Sequence, residues 1–247
     1  MRFQGQVAIV TGAGNGIGKA TALLFAREGA KVAVIDIDQE KNQQVAATIQ
    51  DFGGTALPLV VDITRNDQIK AATAQILAQF GQIDILVNNA GAGWGKKLTL
   101  FQDAPEDSWE WIIDLNVNGT LHFTHAVLEN MVSRKYGKII NVTSIAASVG
   151  IPKLAVYAAS KGAVVSFSKS LAMELGPLQI NVNCVSPALV AREGEELGPC
   201  NGTYLGRKGK PEEFANVIAF LASDEASFIT GVDYLVDGGR TLGPRGV

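Results

Sequence analysis

Cysteine and histidine are scarce in this sequence of 247 residues, which holds only Cys184, Cys200, His122 and His125. Neither thiol has a second Cys or a His at metal-ligand spacing. His122 and His125 stand three apart on a helical stretch without a third ligand, so no metal centre is expected. Two thiols build no disulfide framework, and reduced, cytoplasmic chemistry is the default. Charge is also sparse, at 18% of residues, and the formal net charge of -3 is interspersed without a block of one sign. That leaves no basic field for nucleic acid. No apolar run reaches membrane-spanning length, and Met1 to Gln6 lead into a strand without the apolar region of a signal peptide.

What the chain has in quantity is apolar residues, 47% of the total, and glycine, 27 residues. Strand-like runs recur at Val7 to Val10, Lys31 to Ile35, Leu57 to Val61, Ile83 to Val87, Gly137 to Val142, Ile180 to Val185 and Asp233 to Val236. Between them lie stretches of helical periodicity, such as Ala20 to Glu28, Gln68 to Phe80 and Ala155 to Leu175. Alternation of strand and helix predicts parallel βαβ units with right-handed crossovers. Most of the strand runs are apolar throughout, as expected of a sheet covered by helices on both faces. Gly29, Gly53, Gly81 and Gly176 each follow a helical stretch, where a left-handed residue favours glycine, and Pro211 with Glu212 and Glu213 marks a helix start. No repeat or linker divides residues 1–247, and one α/β domain is expected.

The segment Val10-Thr11-Gly12-Ala13-Gly14-Asn15-Gly16-Ile17-Gly18 joins the first strand run to the first helical stretch. Glycine permits tight turning and close approach of a ligand, while a helix N-terminus presents free N–H groups to phosphate. The general dinucleotide spacing asks for glycine at 12, 14 and 17. Position 17 is Ile, so the glycines at 12, 16 and 18 form a variant, and a purely structural tight turn is the alternative. Asp36 ends the second strand, where a carboxylate can accept hydrogen bonds from ribose hydroxyls and repel a 2′-phosphate. Neither Asn15 nor Ile37 supplies a cation, which favours NAD(H) over NADP(H); a capping or solvated role for Asp36 is the other reading.

Tyr157 and Lys161 stand one helical turn apart on one face. A phenol near pH 10 is a poor base, and a nearby ammonium with an oxidised nicotinamide would lower it enough to remove an alcohol proton. The same spacing is common on ordinary helices. It gains weight from Ser144 at the end of the fifth strand, Asn88-Asn89-Ala90-Gly91 at the end of the fourth, and Asn116 in a helical stretch where an amide is an indifferent helix former. In an open parallel sheet, ligands bind at the carboxyl ends of the strands.

These residues, with the late Asp237-Gly238-Gly239, make the chain resemble the short-chain dehydrogenase/reductase superfamily, in its shorter single-domain form, over nearly its whole length. The resemblance implies a Rossmann-type, doubly wound parallel sheet of about seven strands with helices on both faces. It implies catalytic roles for Asn116, Ser144, Tyr157 and Lys161: Tyr157 as base and acid, Ser144 holding the substrate oxygen, Lys161 gripping the nicotinamide ribose, and Asn116 holding a relay water. It implies NAD bound among Gly12, Asn15, Gly16, Ile17, Gly18, Asp36, Ile37, Asp62, Ile63, Asn89, Ala90, Gly91, Tyr157, Lys161, Pro187 and Val190, with Thr143 near the nicotinamide. A homotetramer is implied as well.

After the sixth strand the family shows Pro-Gly with a Thr a few residues on, whereas this chain reads Ser186-Pro187-Ala188-Leu189-Val190-Ala191-Arg192. The substrate loop at about 188–210 is short and interrupted by Gly194, Gly198, Pro199 and Gly202, which predicts irregular structure and an open site. Trp94, Lys96, Lys97 and Arg192 are the substrate candidates besides Ser144, the lysines for a carboxylate or coenzyme A phosphate. Trp109 and Trp111 are expected to pack in the core or an interface. The expected activity is NAD-dependent interconversion of a secondary alcohol and a ketone, on a cyclic or aromatic alcohol or a 3-hydroxyacyl thioester. A 3-oxoacyl carrier-protein reductase and a non-catalytic subunit or sensor are the alternatives.

Overall fold

The computed structural model of the chain describes residues 1–93, 99–192 and 194–243. The apolar runs become β1 (Val7–Thr11), β2 (Lys31–Asp36), β3 (Thr55–Val60), β4 (Ile85–Asn88), β5 (Gly137–Val142), β6 (Ile180–Pro187) and β7 (Asp233–Val236). Among the described residues they form one parallel sheet in the order β3-β2-β1-β4-β5-β6-β7. The order reverses between β1 and β4. The crevice beyond their carboxyl ends is therefore the switch point at which such sheets bind ligands.

Successive side chains of a strand point to opposite faces, and β1 shows what that does here. Ala8 and Val10 join a core with Ala22 and Phe25 of α1 (Gly16–Arg27), Val45 and Ile49 of α2 (Gln39–Asp51), and Ile218 and Ala219 of α7 (Pro211–Ala222). Val7 and Ile9 join the other, with Ile69 and Ile76 of α3 (Asn66–Phe80), Phe123 and Val127 of α5 (Gly119–Arg134), and Leu171 and Leu175 of α6 (Ala155–Leu175). Each of the buried Val, Ile, Leu and Phe side chains contributes about 1.5–3 kcal/mol. The short helix α4 (Glu106–Ile113) precedes α5.

Gly29, Gly53 and Gly81 take the left-handed conformation after their helices. Gly176 does not: at φ -54 it leads α6 into a 3₁₀ turn, Gly176–Leu178, and Gln179 at φ 60 makes the left-handed turn instead. The first helix begins at Gly16 rather than Ala20, because the glycine turn itself winds into the helix. Among the described residues no helix is long and apolar enough to cross a membrane.

Candidate active site

The turn after β1 is shaped by close approach. A Cβ on Gly18 would lie 2.1 Å from the Gly12 carbonyl oxygen, so only glycine lets the helix start pack on the strand end. Gly16, at φ 52, is left-handed with open space around it. Asn15 stands at the N-cap of α1 but makes no side-chain cap, which leaves the first-turn N–H groups without a side-chain acceptor. Asp36 steadies the turn, its carboxylate accepting from the Gly14 N–H at 2.8 Å and the Asp38 N–H at 3.0 Å.

A groove of about 400 Å³ opens over this turn. Of the residues expected at a dinucleotide, Gly12, Asn15, Ile17, Asp36, Ile37, Asp62, Ile63, Asn89, Ala90, Gly91 and Val190 line it. Gly16 and Gly18 shape the turn without lining the groove. The Asn89 carboxamide donates to the carbonyls of Thr11 and Gly12 at 2.9 and 3.1 Å, and the Thr11 hydroxyl accepts from the N–H groups of Asn89 and Ala90. The two strand ends are thus laced together. That Thr11 does this was not anticipated from the sequence.

The groove continues into a cavity of about 200 Å³ lined by Ser144, Tyr157, Lys161, Pro187 and Thr143; Ile17, Asn89, Gly91 and Val190 belong to both. Ser144 lies just past β5, which ends at Val142, and caps a 3₁₀ turn through its hydroxyl, which accepts from the Ala146 N–H at 3.2 Å. Tyr157 lies in the first turn of α6. Burial pushes its phenol above the usual 10, with the Ser144 hydroxyl pulling the other way. This reverses the direction expected from a neighbouring ammonium. The Lys161 ammonium does not offset the burial of Tyr157, being itself buried, pushed down to about 8, and donating to the Val142 carbonyl at 2.9 Å. Its Nζ stands 5.9 Å from the centre of the Tyr157 ring.

Asn116 lies in a π turn, Asp114–Asn118, between α4 and α5. Its carboxamide accepts from the Ala92 N–H and donates to the Ala92 carbonyl, both at 3.0 Å, and donates to the Ser160 hydroxyl at 3.0 Å. Ser160 in turn donates to the Tyr157 carbonyl at 2.7 Å. The amide ties the segment after β4 to the turn of α6 that carries Tyr157. Ser160 as the intermediary was not foreseen, although its place inside Tyr157-x-x-x-Lys161 was a signal.

A sequence profile of the family described as enoyl-(acyl carrier protein) reductase matches residues 12–241. The chain belongs to the short-chain dehydrogenase/reductase superfamily. A 3-oxoacyl-acyl-carrier-protein reductase of Thermotoga maritima is 39% identical, the match covering 98% of this chain and all of that one. A cyclopentanol dehydrogenase of a Comamonas species is 40% identical over 97% of this chain and 98% of its own. Among solved structures, NAD+-bound xylitol dehydrogenase superposes with a TM-score of 0.90 at 32% identity, over 97% of this chain and 100% of that one.

As a short-chain dehydrogenase/reductase the chain departs from the family pattern at Pro187-Ala188. The structure anchors the segment that follows by main-chain bonds: Ala191 N–H to the Gly209 carbonyl at 2.8 Å and Gly209 N–H to the Leu189 carbonyl at 2.9 Å. No helix forms among the described residues of 188–210. Arg192 is exposed and lines a separate cavity with Gly16, Lys19 and Glu195, so the structure does not bring it to Ser144 and Tyr157. Trp94, Lys96 and Lys97 lie outside the described residues. Trp109 stacks on Phe101 at 4.9 Å, while Trp111 is exposed. Among the described residues no three His, Cys, Asp or Glu side chains cluster to hold a metal.

Proposed function

We propose that this chain is an NAD(H)-dependent oxidoreductase that interconverts a secondary alcohol and a ketone. The observation that carries the reading is the continuity of the site. One groove runs from Asp36, through walls shared by Ile17, Asn89, Gly91 and Val190, to Ser144, Tyr157 and Lys161. The dinucleotide fits the residues present, since first-turn N–H groups of α1 are free of a side-chain cap and Asp36 places a carboxylate where ribose hydroxyls would donate. Among the described residues no Lys or Arg lines the part of the groove beside Asp36. Lys41 feels the charge of Asp36 but is ion-paired with Asp38 at 2.9 Å, which supports NAD(H) over NADP(H).

When bound, the nicotinamide supplies hydride acceptance or donation. The chain supplies the proton chemistry. The Ser144 hydroxyl holds the substrate oxygen, and the Tyr157 hydroxyl gives its proton to the oxygen in reduction and takes it back in oxidation. Burial keeps Tyr157 protonated, the form required of the acid. Removing the alcohol proton calls for positive charge beside the phenol: Lys161 in its protonated form, 5.9 Å from the ring centre, contributes it only together with the positive charge that an oxidised nicotinamide would bring. Asn116 holds Ala92 and Ser160 in register.

A cyclic or aromatic alcohol and a 3-hydroxyacyl thioester both suit this chemistry, and the two relatives named above divide along the same line. A homotetramer is part of the proposal. Exposed Leu235 on edge strand β7, Phe228 shortly before that strand and Met173 on α6 support association with further copies.

Initial rates with NAD+ and NADP+ test the proposal, using a panel of cyclic, aromatic and acyl-thioester alcohols with wild type and Tyr157→Phe. Alcohol-dependent NADH formation, lost in the variant, is expected. NADP+ preferred tenfold would overturn the coenzyme assignment. No alcohol-dependent NADH formation by the wild type across the panel, with the variant identical, would overturn the enzymatic one.

A further inference from the structure

Tyr157 has a second neighbour besides the catalytic cavity. On its other side a cavity of about 320 Å³ lies between α4 and the start of α6, and Gly93 and Tyr157 line both spaces. Its walls are largely apolar: Phe101, Trp109, Ile112, Leu154 and Val156. Phe101 and Trp109 stack at 4.9 Å with their planes 13° apart, and among the described residues the buried indole N–H has no acceptor. Lys153, just before α6, takes a left-handed backbone at φ 68, uncommon for a residue with a Cβ, in the turn that leads Leu154 to Tyr157 along the cavity.

The size and the apolar walls of this space select among alcohols. Small-molecule sites span roughly 300–1,000 Å³, so a cavity at the lower end takes a compact group. Among the described residues the charged side chains on its walls are Asp103 and Lys153, both exposed, so the inner surface is set by Trp109, Ile112, Leu154 and Val156 and favours an apolar group. We propose that this cavity receives the non-reacting part of the substrate, and that this part is a compact apolar ring, alicyclic or aryl, carried on the carbinol carbon. The inference rests on the oxidoreductase reading. It adds that Trp109, Ile112 and Val156 determine specificity, with the carbinol oxygen toward Ser144 and Tyr157 and the ring turned away from the nucleotide groove.

Ala155 lines the cavity from an exposed position at the start of α6, where a larger side chain can be introduced without disturbing the core. Ala155→Phe is therefore the filling variant, with Ile112→Ala as an enlarging one. Two readouts are needed, kcat/KM for 1-phenylethanol and cyclohexanol relative to 2-propanol, and calorimetric titration of the full-length protein with 1-phenylethanol. Filling is expected to lower the ring-to-2-propanol selectivity at least tenfold, chiefly through KM, and to abolish the binding heat. Enlarging is expected to shift preference toward bulkier rings. Unchanged selectivity and binding in both variants would overturn the inference while leaving the oxidoreductase reading in place. So would a wild type that prefers a 3-hydroxyacyl-CoA tenfold over 1-phenylethanol and does not respond to filling. A change in mass by light scattering on filling, without loss of binding, would assign the cavity to a second copy and overturn it too. Binding that filling abolishes, with no alcohol turned over, would support the ring site and overturn only the redox reading.

Discussion

The Lys161 ammonium donates to the Val142 carbonyl at 2.9 Å, joining the helix that bears Tyr157 to the strand that leads to Ser144. Two catalytic candidates from different elements are thereby held by a third residue.

Burial lowers Lys161 from 10.5 to about 8. Between those values the folded chain binds fewer protons than the unfolded one. Stability from this residue therefore rises with pH across the window, the burial cost being full below about 8 and gone above 10.5. Lys161→Met removes this dependence. Calorimetric melting temperatures of variant and wild type are expected to diverge in favour of wild type as pH rises through that window. A constant difference would show that Lys161 titrates as it does in the unfolded chain.

Asp36 has two duties that substitution can separate. Asp36→Ala removes both the charge and the acceptor for Gly14 N–H, and the KM for NAD+ should rise at least tenfold, equivalent to about 1.4 kcal/mol. Asp36→Asn keeps an acceptor for Gly14. It should recover stability in urea titration while still gaining activity with NADP+ relative to NAD+.

The two glycines of the turn should differ in what an alanine costs. In Gly18→Ala the new methyl meets the Gly12 oxygen at 2.1 Å, and a loss of about 3 kcal/mol or more is expected because backbone cannot yield cheaply. Gly16→Ala meets nothing within 4 Å, and its left-handed backbone alone sets the cost, roughly 1–2 kcal/mol. Equilibrium denaturation of both variants gives the comparison directly.

Asn116→Asp keeps an acceptor for the Ala92 N–H but loses the donations to the Ala92 carbonyl and to Ser160. A loss of about 1–3 kcal/mol is expected from the stranded acceptor. Because Ser160 reaches the Tyr157 turn, kcat should fall more than the KM for alcohol changes. Equal effects on both would place Asn116 outside the positioning of Tyr157.

Local signals made most of this site legible. Apolar runs show where the strands are, and residues at strand ends follow from topology, which is why Asp36, Asn89 and Ser144 were readable as a set, with Tyr157 and Lys161 joined to them by helical spacing. The behaviour of charge was not readable. Lys161 seemed a source of positive charge for Tyr157 because spacing places them together, yet spacing carries no information on the Val142 carbonyl or on the depth of burial that raises Tyr157. Gly176 misled for a related reason, since composition does not say whether α6 ends in a left-handed turn or tightens into 3₁₀. Arg192 follows β6 closely in sequence, but the chain turns away at Ala191 to pair with Gly209, a contact between segments that no local pattern encodes.

The π turn at Asp114–Asn118 gives α4 and α5 separate angular settings. An α-helical residue advances about 100° around the axis, whereas the wider π turn takes up one residue without that rotation, so Phe123 and Val127 stay in the core while Ile112 and Trp109 keep facing the cavity beside α6. The extra residue works like a clutch between two shafts. Removing one residue between 114 and 118 would close the turn to α-helical spacing with both faces kept in place, whereas an insertion within α4 or α5 outside it would turn one face away from its partner.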